Sequence, residues 1–108
     1  MHFIDTHAHV YAEELTSDLD LIMKNAVAVG VNKIIMPAID STTLDAMLKV
    51  EQQFPAHCIA MMGLHPCYVK ENYKEELKLV EDWIGKRKFI AIGEIGLDFY
   101  WDKTFTKE

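Results

Sequence analysis

Hydrophobic residues along the chain form four short, nearly continuous runs separated by longer amphipathic stretches. The runs are Phe3-Ile4, Ile34–Met36, Cys58–Met62 and Phe89–Ile92, each bounded by glycine, proline or charge. Short apolar runs of this kind are typical of strands that are buried on both faces of a parallel sheet. They therefore predict four parallel β-strands.

The three stretches between the runs repeat their apolar residues at helical spacing, which predicts three amphipathic helices with their stripes in the core. In the first, Ser17 and Asp20 resemble a capping box and Gly30 is placed to end the helix. The second is expected to begin near Thr42, and the third to carry Glu75-Glu76 in its first turn, where the helix dipole favours acids. The predicted stripes are Leu15, Leu19, Ile22, Met23 and Ala26, then Leu44, Met47 and Leu48, then Leu77, Val80, Trp83 and Ile84.

The element order β-α-β-α-β-α-β implies right-handed crossovers and a parallel sheet with outer helices. Four strands in so short a chain is the pace of a (β/α)8 barrel, which needs roughly 250 residues in total. The α/β fold predicted for these 108 residues is therefore the N-terminal half of a TIM barrel, about four β/α units. We expect residues 1–108 to be one incomplete barrel domain whose first and fourth strands have open edges.

Composition narrows the class of protein without naming a substrate. Hydrophobic residues make up 50% of the chain and charged residues 26%, as in an ordinary globular protein. No apolar run approaches the roughly 20 residues of a membrane span, and the N-terminus lacks a signal-peptide layout, so we expect a cytoplasmic protein with no membrane partner. Cys58 and Cys67 lack CxxC spacing and are expected to be free thiols without a role. The net charge of −6 argues against a basic nucleic-acid groove, unless bound divalent cations attract the phosphate.

The first candidate for chemistry is the pair of histidines behind the first apolar run. On a strand, Asp5, His7 and His9 would point to the same side, with the imidazoles about 7 Å apart along the strand. Each could reach one metal ion with a ring nitrogen, and Asp5 could orient a histidine as a hydrogen-bond acceptor. The alternative is a pair of solvated histidines, and the motif alone does not decide between the two.

The other candidates follow the third and fourth runs. Glu94 closes an apolar strand, where an inward carboxylate is costly unless it is paired or bound to a cation, so it is a candidate anionic metal ligand. A salt bridge to an inward lysine or arginine is the alternative, but no basic residue lies at the predicted inward positions. His65, before Pro66, would be presented at the barrel mouth, where a turn histidine without a role is the alternative. His2 and His57 fall at strand beginnings and are interpreted as structural or solvated.

Together these groups lie at the C-terminal ends of three predicted strands, where barrel enzymes assemble their active sites. Three segments, Ile4–His9, Gly63–Pro66 and Gly93–Asp98, resemble the N-terminal part of the TatD-family metal-dependent hydrolases in order and separation. The resemblance covers essentially the whole chain. It implies a TIM-barrel phosphodiesterase, typically a 3′–5′ DNA exonuclease, that uses two divalent cations, Mg, Mn or Zn.

The resemblance also implies roles for individual residues. His7 and His9 would bind the first metal, Glu94 would bridge both, His65 would sit beside the substrate phosphate, and Asp98 would support that site. No catalytic residue is assigned. Family members add two histidines and an aspartate from later strands, and these positions are absent from the 108 residues. We therefore expect the parent protein to be a hydrolase, and this chain to be a fragment that is inactive alone.

Two other functions are compatible with the sequence. A hydrolase of C–N bonds would share the paired histidines but would not predict the glycine-rich segment around Glu94. A non-catalytic half barrel would act, if at all, by self-association through its open edges.

Overall fold

A computed structural model describes all residues, 1–108, and its strands form one parallel sheet. The strands are β1 (Phe3–Asp5), β2 (Val31–Met36) and β3 (Cys58–Ala60), hydrogen-bonded in the order β1-β2-β3. The helices are α1 (Glu13–Thr16), α2 (Leu19–Ala28), α3 (Ser41–Gln53) and α4 (Tyr73–Lys86), with a single 3₁₀ turn at Pro66–Tyr68. A helix follows each strand, so the predicted alternation of strands and helices is confirmed.

The register of the sheet brings the three strand ends to one edge. Asp5 of β1 lies beside Ile34 of β2, and Met36, the last residue of β2, lies beside Ala60, the last residue of β3. The pairing of β1 with β2 shifts by one residue between Phe3 and Ile4. Since parallel strands all point the same way, the loops that follow them emerge on the same side.

The fourth predicted strand, Phe89–Ile92, is not formed as a strand. Ile92 makes an isolated parallel bridge with Met62, and the Gly93 N–H donates to the Met62 carbonyl at 2.9 Å. The chain then turns toward the loop after β2, where Ala38 N–H donates to the Gly93 carbonyl at 2.9 Å. A ladder needs repeated pairs, and this turn ends it after one.

Helices α2 and α3 cover one face of the sheet and form the core with it. Alternate residues of β2 and β3 point toward these helices, because strand side chains alternate between faces. The buried cluster is rich in methionine, which fills irregular gaps well. Its members are Val10, Tyr11, Leu19, Met23, Ile34, Met36, Ala38, Leu44, Met47, Val50, Cys58, Ala60 and Met62.

Local hydrogen bonds set the helix ends differently from the sequence prediction. Asp18 precedes α2 and makes no side-chain cap, while Ser17 ends α1, so the predicted capping box of Ser17 and Asp20 is wrong. At the other end of α2 the prediction is confirmed: the N–H of Gly30 donates to the Val27 carbonyl, and its φ of +94° suits glycine.

Helix α3 differs from the prediction in where it begins, and helix α4 differs in which residues it buries. Helix α3 begins one residue earlier than expected, with Asp40 as its cap in a capping box with Thr43. On α4 the predicted core stripe is wrong for Leu77 and Ile84, which are 49% and 44% exposed, while Glu76 is buried. The reason is that α4 faces the rest of the fold with Glu76, Val80 and Trp83, which are spaced by four and three residues. Leu77 and Ile84 then lie at the side of that face.

The predicted open edge is present at β1, all three residues of which are exposed. Two of these residues, Phe3 and Ile4, are large and apolar. The segment after α4 also exposes apolar side chains, which are Ile90, Ile92, Ile95, Leu97, Phe99, Tyr100 and Trp101. None of the helices combines the length and apolar character that crossing a bilayer requires.

Candidate metal centre

His7 and His9 lie in the loop that leaves β1, rather than on the strand itself. The strand ends at Asp5, whose carboxylate accepts a hydrogen bond from the His7 N–H at 3.0 Å. His7 and His9 both face Glu94, and the Ala8 N–H between them still donates to the Ile35 carbonyl at 3.2 Å, although regular strand pairing stops at Asp5. The two imidazoles nevertheless come together, with ring centroids 5.1 Å apart in an edge-on arrangement. Asp5 thus holds the backbone of the loop and does not touch a histidine ring.

Glu94 is held at the same edge of the sheet by its backbone. Its N–H donates to the Ala38 carbonyl at 3.1 Å, just after β2. Gly63, after β3, lets this segment approach closely, since a Cβ there would lie 2.7 Å from the carbonyl carbon of Gly93. A side chain at position 63 would therefore push the glutamate segment away from the sheet.

The side chains of His7, His9 and Glu94 converge on one point. Glu94 Oε2 lies 3.2 Å from His7 Nε2 and 3.4 Å from His9 Nε2. This oxygen is buried and receives no hydrogen bond. One ligand atom from each of the three residues lies within 4.8 Å of the others. A buried carboxylate oxygen between two imidazole nitrogens fits a divalent cation, because both are common metal ligands and the cation would offset the burial of the charge.

His9 is oriented by a residue that the sequence analysis did not single out. Its Nδ1 lies 2.9 Å from the hydroxyl oxygen of Tyr11, and that hydroxyl donates to the carbonyl of Pro37. Partial burial and the neighbouring His7 lower the pKa of His9, despite the opposing effect of Glu94. A lowered pKa favours the neutral imidazole, which is the form that binds metal.

His65 meets the same carboxylate from the opposite side. Its Nε2 lies 3.0 Å from Glu94 Oε1, while its Nδ1 accepts a hydrogen bond from the Cys67 N–H at 3.0 Å. Because Nδ1 accepts, the proton of the neutral ring is on Nε2, which then donates to Glu94. His65 thus holds the carboxylate in place in this arrangement.

Asp98 lies outside this group and is connected to it through Cys67. Asp98 Oδ2 accepts from the Cys67 thiol at 2.7 Å, and its Oδ1 accepts from the N–H groups of Tyr100 and Trp101. These hydrogen bonds, the thiol first, lower the pKa of Asp98, and the same carboxylate raises the pKa of Cys67. Both cysteines are free, as predicted, but Cys67 contacts two candidate site residues, which the sequence analysis did not foresee.

The remaining histidines are remote from the cluster. The Nδ1 of His2 lies 2.7 Å from the side-chain amide of Asn32, and the Nδ1 of His57 lies 2.8 Å from the Asn32 carbonyl. The structure therefore groups His7, His9, His65 and Glu94 and leaves Asp5 and Asp98 beside them. Tyr11 could have been found from sequence, since it extends the spacing of every second residue from Asp5 onward.

Comparison with known proteins gives a consistent family assignment. A family model described as TatD related DNase matches residues 4–108. The crystal structure of YjjV, a TatD homologue from Escherichia coli K12, superposes with a TM-score of 0.87 at 30% identity, over 97% of this chain and 41% of that one. This match confirms the predicted fold, a partial α/β barrel.

Two further relatives carry functional descriptions. An uncharacterized metal-dependent hydrolase, YabD of Bacillus subtilis, is 32% identical over 100 residues, which are 93% of this chain and 39% of YabD. The 3′-5′ ssDNA/RNA exonuclease TatD of Erwinia tasmaniensis is 25% identical over 95 residues, 88% of this chain and 37% of that protein. The chain thus spans about two-fifths of the length of these relatives.

Proposed function

This chain belongs to the TatD-related DNase family, and from that premise we propose that it contributes the first metal-binding half of a hydrolase of phosphodiester bonds in DNA. The observation that carries the proposal is the buried, unbonded Oε2 of Glu94 between the Nε2 atoms of His7 and His9. A carboxylate in that position is stabilised by a cation that all three residues contact. Relatives described as metal-dependent hydrolases support the same assignment.

The roles of the residues follow from their positions. His7 and His9 are neutral nitrogen ligands, and Glu94 is the anionic ligand. Its second oxygen, Oε1, accepts a hydrogen bond from His65 in this structure and would turn to a second cation when His65 turns to the substrate phosphate. A pair of divalent cations held there, Mg, Mn or Zn, would supply activation of water and stabilisation of the leaving oxygen of a phosphodiester. His65, whose Nε2–H points into the cluster, is the donor for a phosphate oxygen, and Asp98 keeps the His65 loop in place through Cys67.

We further propose that the 108 residues bind a cation but do not hydrolyse DNA alone, as one incomplete barrel domain. Three ligand atoms leave positions of a divalent cation to be filled by other groups. The share of the relatives that the chain spans supports this proposal. A DNA partner and a cytoplasmic location stay predictions from the sequence.

Metal binding by the chain is the direct test. Titration calorimetry with Zn²⁺ and Mn²⁺ is expected to show one site, which is lost in His9→Ala and Glu94→Gln. His57→Ala is the matched control, because His57 bonds to Asn32 away from the cluster and its loss should leave the affinity unchanged. Equal affinity of His9→Ala and the unaltered chain would remove the metal centre from consideration.

The substrate is tested with a completed barrel. Residues 1–108 are joined to the remaining part of the Erwinia tasmaniensis exonuclease, and release of nucleotides from single-stranded DNA is followed with Mn²⁺. The chimera is expected to be active, and its Glu94→Gln variant and the 108-residue chain inactive. Hydrolysis of cyclic amides without any action on DNA would replace the nuclease assignment by a C–N hydrolase.

A further inference from the structure

The hydrogen bonds behind His9 run in one direction only. The carbonyl of Pro37 has no hydrogen and can only accept, so the Tyr11 hydroxyl donates its single proton there. The Tyr11 oxygen can then only accept from His9 Nδ1, 2.9 Å away. His9 Nδ1 must therefore carry the ring proton.

The position of this proton determines the state of the other ring nitrogen of His9, Nε2. With its proton on Nδ1, neutral His9 presents a lone pair at Nε2, which faces Glu94 Oε2 at 3.4 Å. His65 has the opposite form, because the Cys67 N–H donates to its Nδ1. Two histidines that contact one carboxylate are thus set to different tautomers by groups behind them. One presents a lone pair and the other an N–H.

The support behind His9 is buried. Tyr11 is 2% exposed, and Pro37 is among the most completely buried residues of the chain. Pro37 directly follows β2, a strand that sends no side chain into the cluster. The end of β2 is therefore connected to the cluster through the Pro37 carbonyl, which holds the Tyr11 hydroxyl against His9.

We propose that Tyr11 is a positioning residue of the metal centre: its hydroxyl, anchored on the Pro37 carbonyl, fixes the proton of His9 on Nδ1 and so presents Nε2 as a metal ligand. The inference rests on the proposed metal centre and adds a residue to it. Groups that orient a ligating histidine typically change metal affinity about 10–100-fold when removed.

The first measurement needs no metal. Long-range ¹H–¹⁵N spectra of the 108-residue chain at about pH 8.5, above the ordinary histidine pKa of about 6.5, separate protonated from unprotonated ring nitrogens. In the unaltered chain His9 is expected to be protonated on Nδ1 and His65 on Nε2. A proton on His9 Nε2 would overturn the proposal, whatever any variant does.

The second measurement uses Tyr11→Phe, which keeps the buried ring and removes only the hydroxyl. His9 is expected to become a mixture of tautomers, and the dissociation constant for Zn²⁺ to rise about 10–100-fold, with a circular dichroism spectrum like that of the unaltered chain. Tyr68→Phe is the matched control. The Tyr68 ring lies edge-on to His65 with centroids 5.4 Å apart, and its hydroxyl bonds to no histidine.

The outcomes separate the two proposals. Zinc binding by the unaltered chain that is unchanged in Tyr11→Phe overturns the role of Tyr11 and leaves the metal centre standing. No zinc binding by the unaltered chain overturns the metal centre and with it the role of Tyr11, even where the spectra show the expected proton on Nδ1. If Tyr11→Phe fails to fold, the spectrum of the unaltered chain still decides which nitrogen is protonated.

Discussion

Glu76 of α4 accepts two hydrogen bonds from Ser41, the first residue of α3: one from the backbone N–H at 2.9 Å and one from the hydroxyl at 2.6 Å. The first N–H groups of a helix have no partner within the helix, and a negative charge there is favoured by the helix dipole. Glu76 is therefore a cap provided by a distant helix, and it joins α4 to the start of α3.

Removing this contact should cost stability. Glu76→Ala leaves the Ser41 N–H without its partner, and we expect the free energy of unfolding to fall by about 2 kcal/mol. Urea denaturation followed by circular dichroism measures it. Glu75→Ala is the control, since Glu75 is an exposed acid of the same turn, and a change within about 0.5 kcal/mol is expected. Equal effects of the two variants would contradict the capping role.

Two glycines allow two different effects of a glycine-to-alanine change to be measured separately: loss of close backbone approach at Gly63 and gain of helix propensity at Gly85. A Cβ at Gly63 would lie 2.7 Å from the Gly93 carbonyl carbon, whereas one at Gly85, near the end of α4, meets nothing within 4 Å. Gly63→Ala should lower the free energy of unfolding by about 2 kcal/mol and weaken Zn²⁺ binding, because the segment of Glu94 is displaced. Gly85→Ala should raise the free energy of unfolding by about 0.5–1 kcal/mol, since alanine is the better helix former.

Unfolding curves and zinc titrations of both variants check this prediction. The decisive comparison is the zinc affinity, which Gly85→Ala should leave unchanged. A Gly63→Ala chain that binds zinc as tightly as the unaltered protein would show that the approach of the two loops does not position Glu94.

The parts of the fold that follow from repeated patterns were predictable from the sequence. The patterns of β2 and β3 and the stripes of α2 and α3 repeat over several residues. Such periodicity identifies an element even when its predicted first or last residue is slightly misplaced. Convergence of His7, His9, His65 and Glu94 was predictable for a related reason: parallel strands place the residues that follow them at one edge of the sheet.

The rest depends on single contacts that periodicity does not encode. One carboxylate, that of Asp5 at the end of β1, accepts a hydrogen bond from the His7 N–H in the loop that follows. One residue, Glu76, is buried because of where Ser41 lies in space, so the stripe on α4 was misjudged. The anchor of Tyr11 is a similar case, since its hydrogen bond to the Pro37 carbonyl spans 26 positions.

The thiol of Cys67 should respond to Asp98. The hydrogen bond to the Asp98 carboxylate raises the pKa of Cys67, because ionising the thiol loses that bond and places two negative charges together. Asp98→Asn removes the charge, so the pKa should fall, the thiolate fraction at about pH 8 should increase, and alkylation by iodoacetamide should become several-fold faster.

Mass spectrometry of the alkylated peptide measures the rate. Cys58, which is 1% exposed, serves as an internal reference that should stay unmodified in the folded chain. Asp102→Asn is the matched variant, because Asp102 pairs with Lys70 and makes no bond to the thiol. Alkylation of Cys67 that is equally fast in all three chains would show that Asp98 does not hold the thiol.

Glu51 should make the fold sensitive to acid. Partial burial raises the pKa of Glu51, but hydrogen bonds from the Arg87 side chain and from the Ala60 N–H, the latter 2.7 Å long, outweigh that effect and lower it overall. A folded-state pKa below the unfolded value means that the unfolded chain takes up the proton first. The stabilisation is therefore complete above the unfolded pKa of about 4.3 and is lost as the pH falls through the lower, folded value.

Glu51→Gln should accordingly lower the free energy of unfolding by about 1 kcal/mol at neutral pH, a modest value because Arg87 is partly exposed to solvent. Urea denaturation at neutral pH and again at about pH 3 measures the difference between the variant and the unaltered chain, which should shrink in acid because protonated Glu51 no longer pairs with Arg87. Glu71→Gln, at an exposed glutamate without an ion pair, should show no difference at either pH. A Glu51→Gln deficit that stays constant across this range would mean that Glu51 stabilises the fold through its shape and neutral hydrogen bonds rather than its charge.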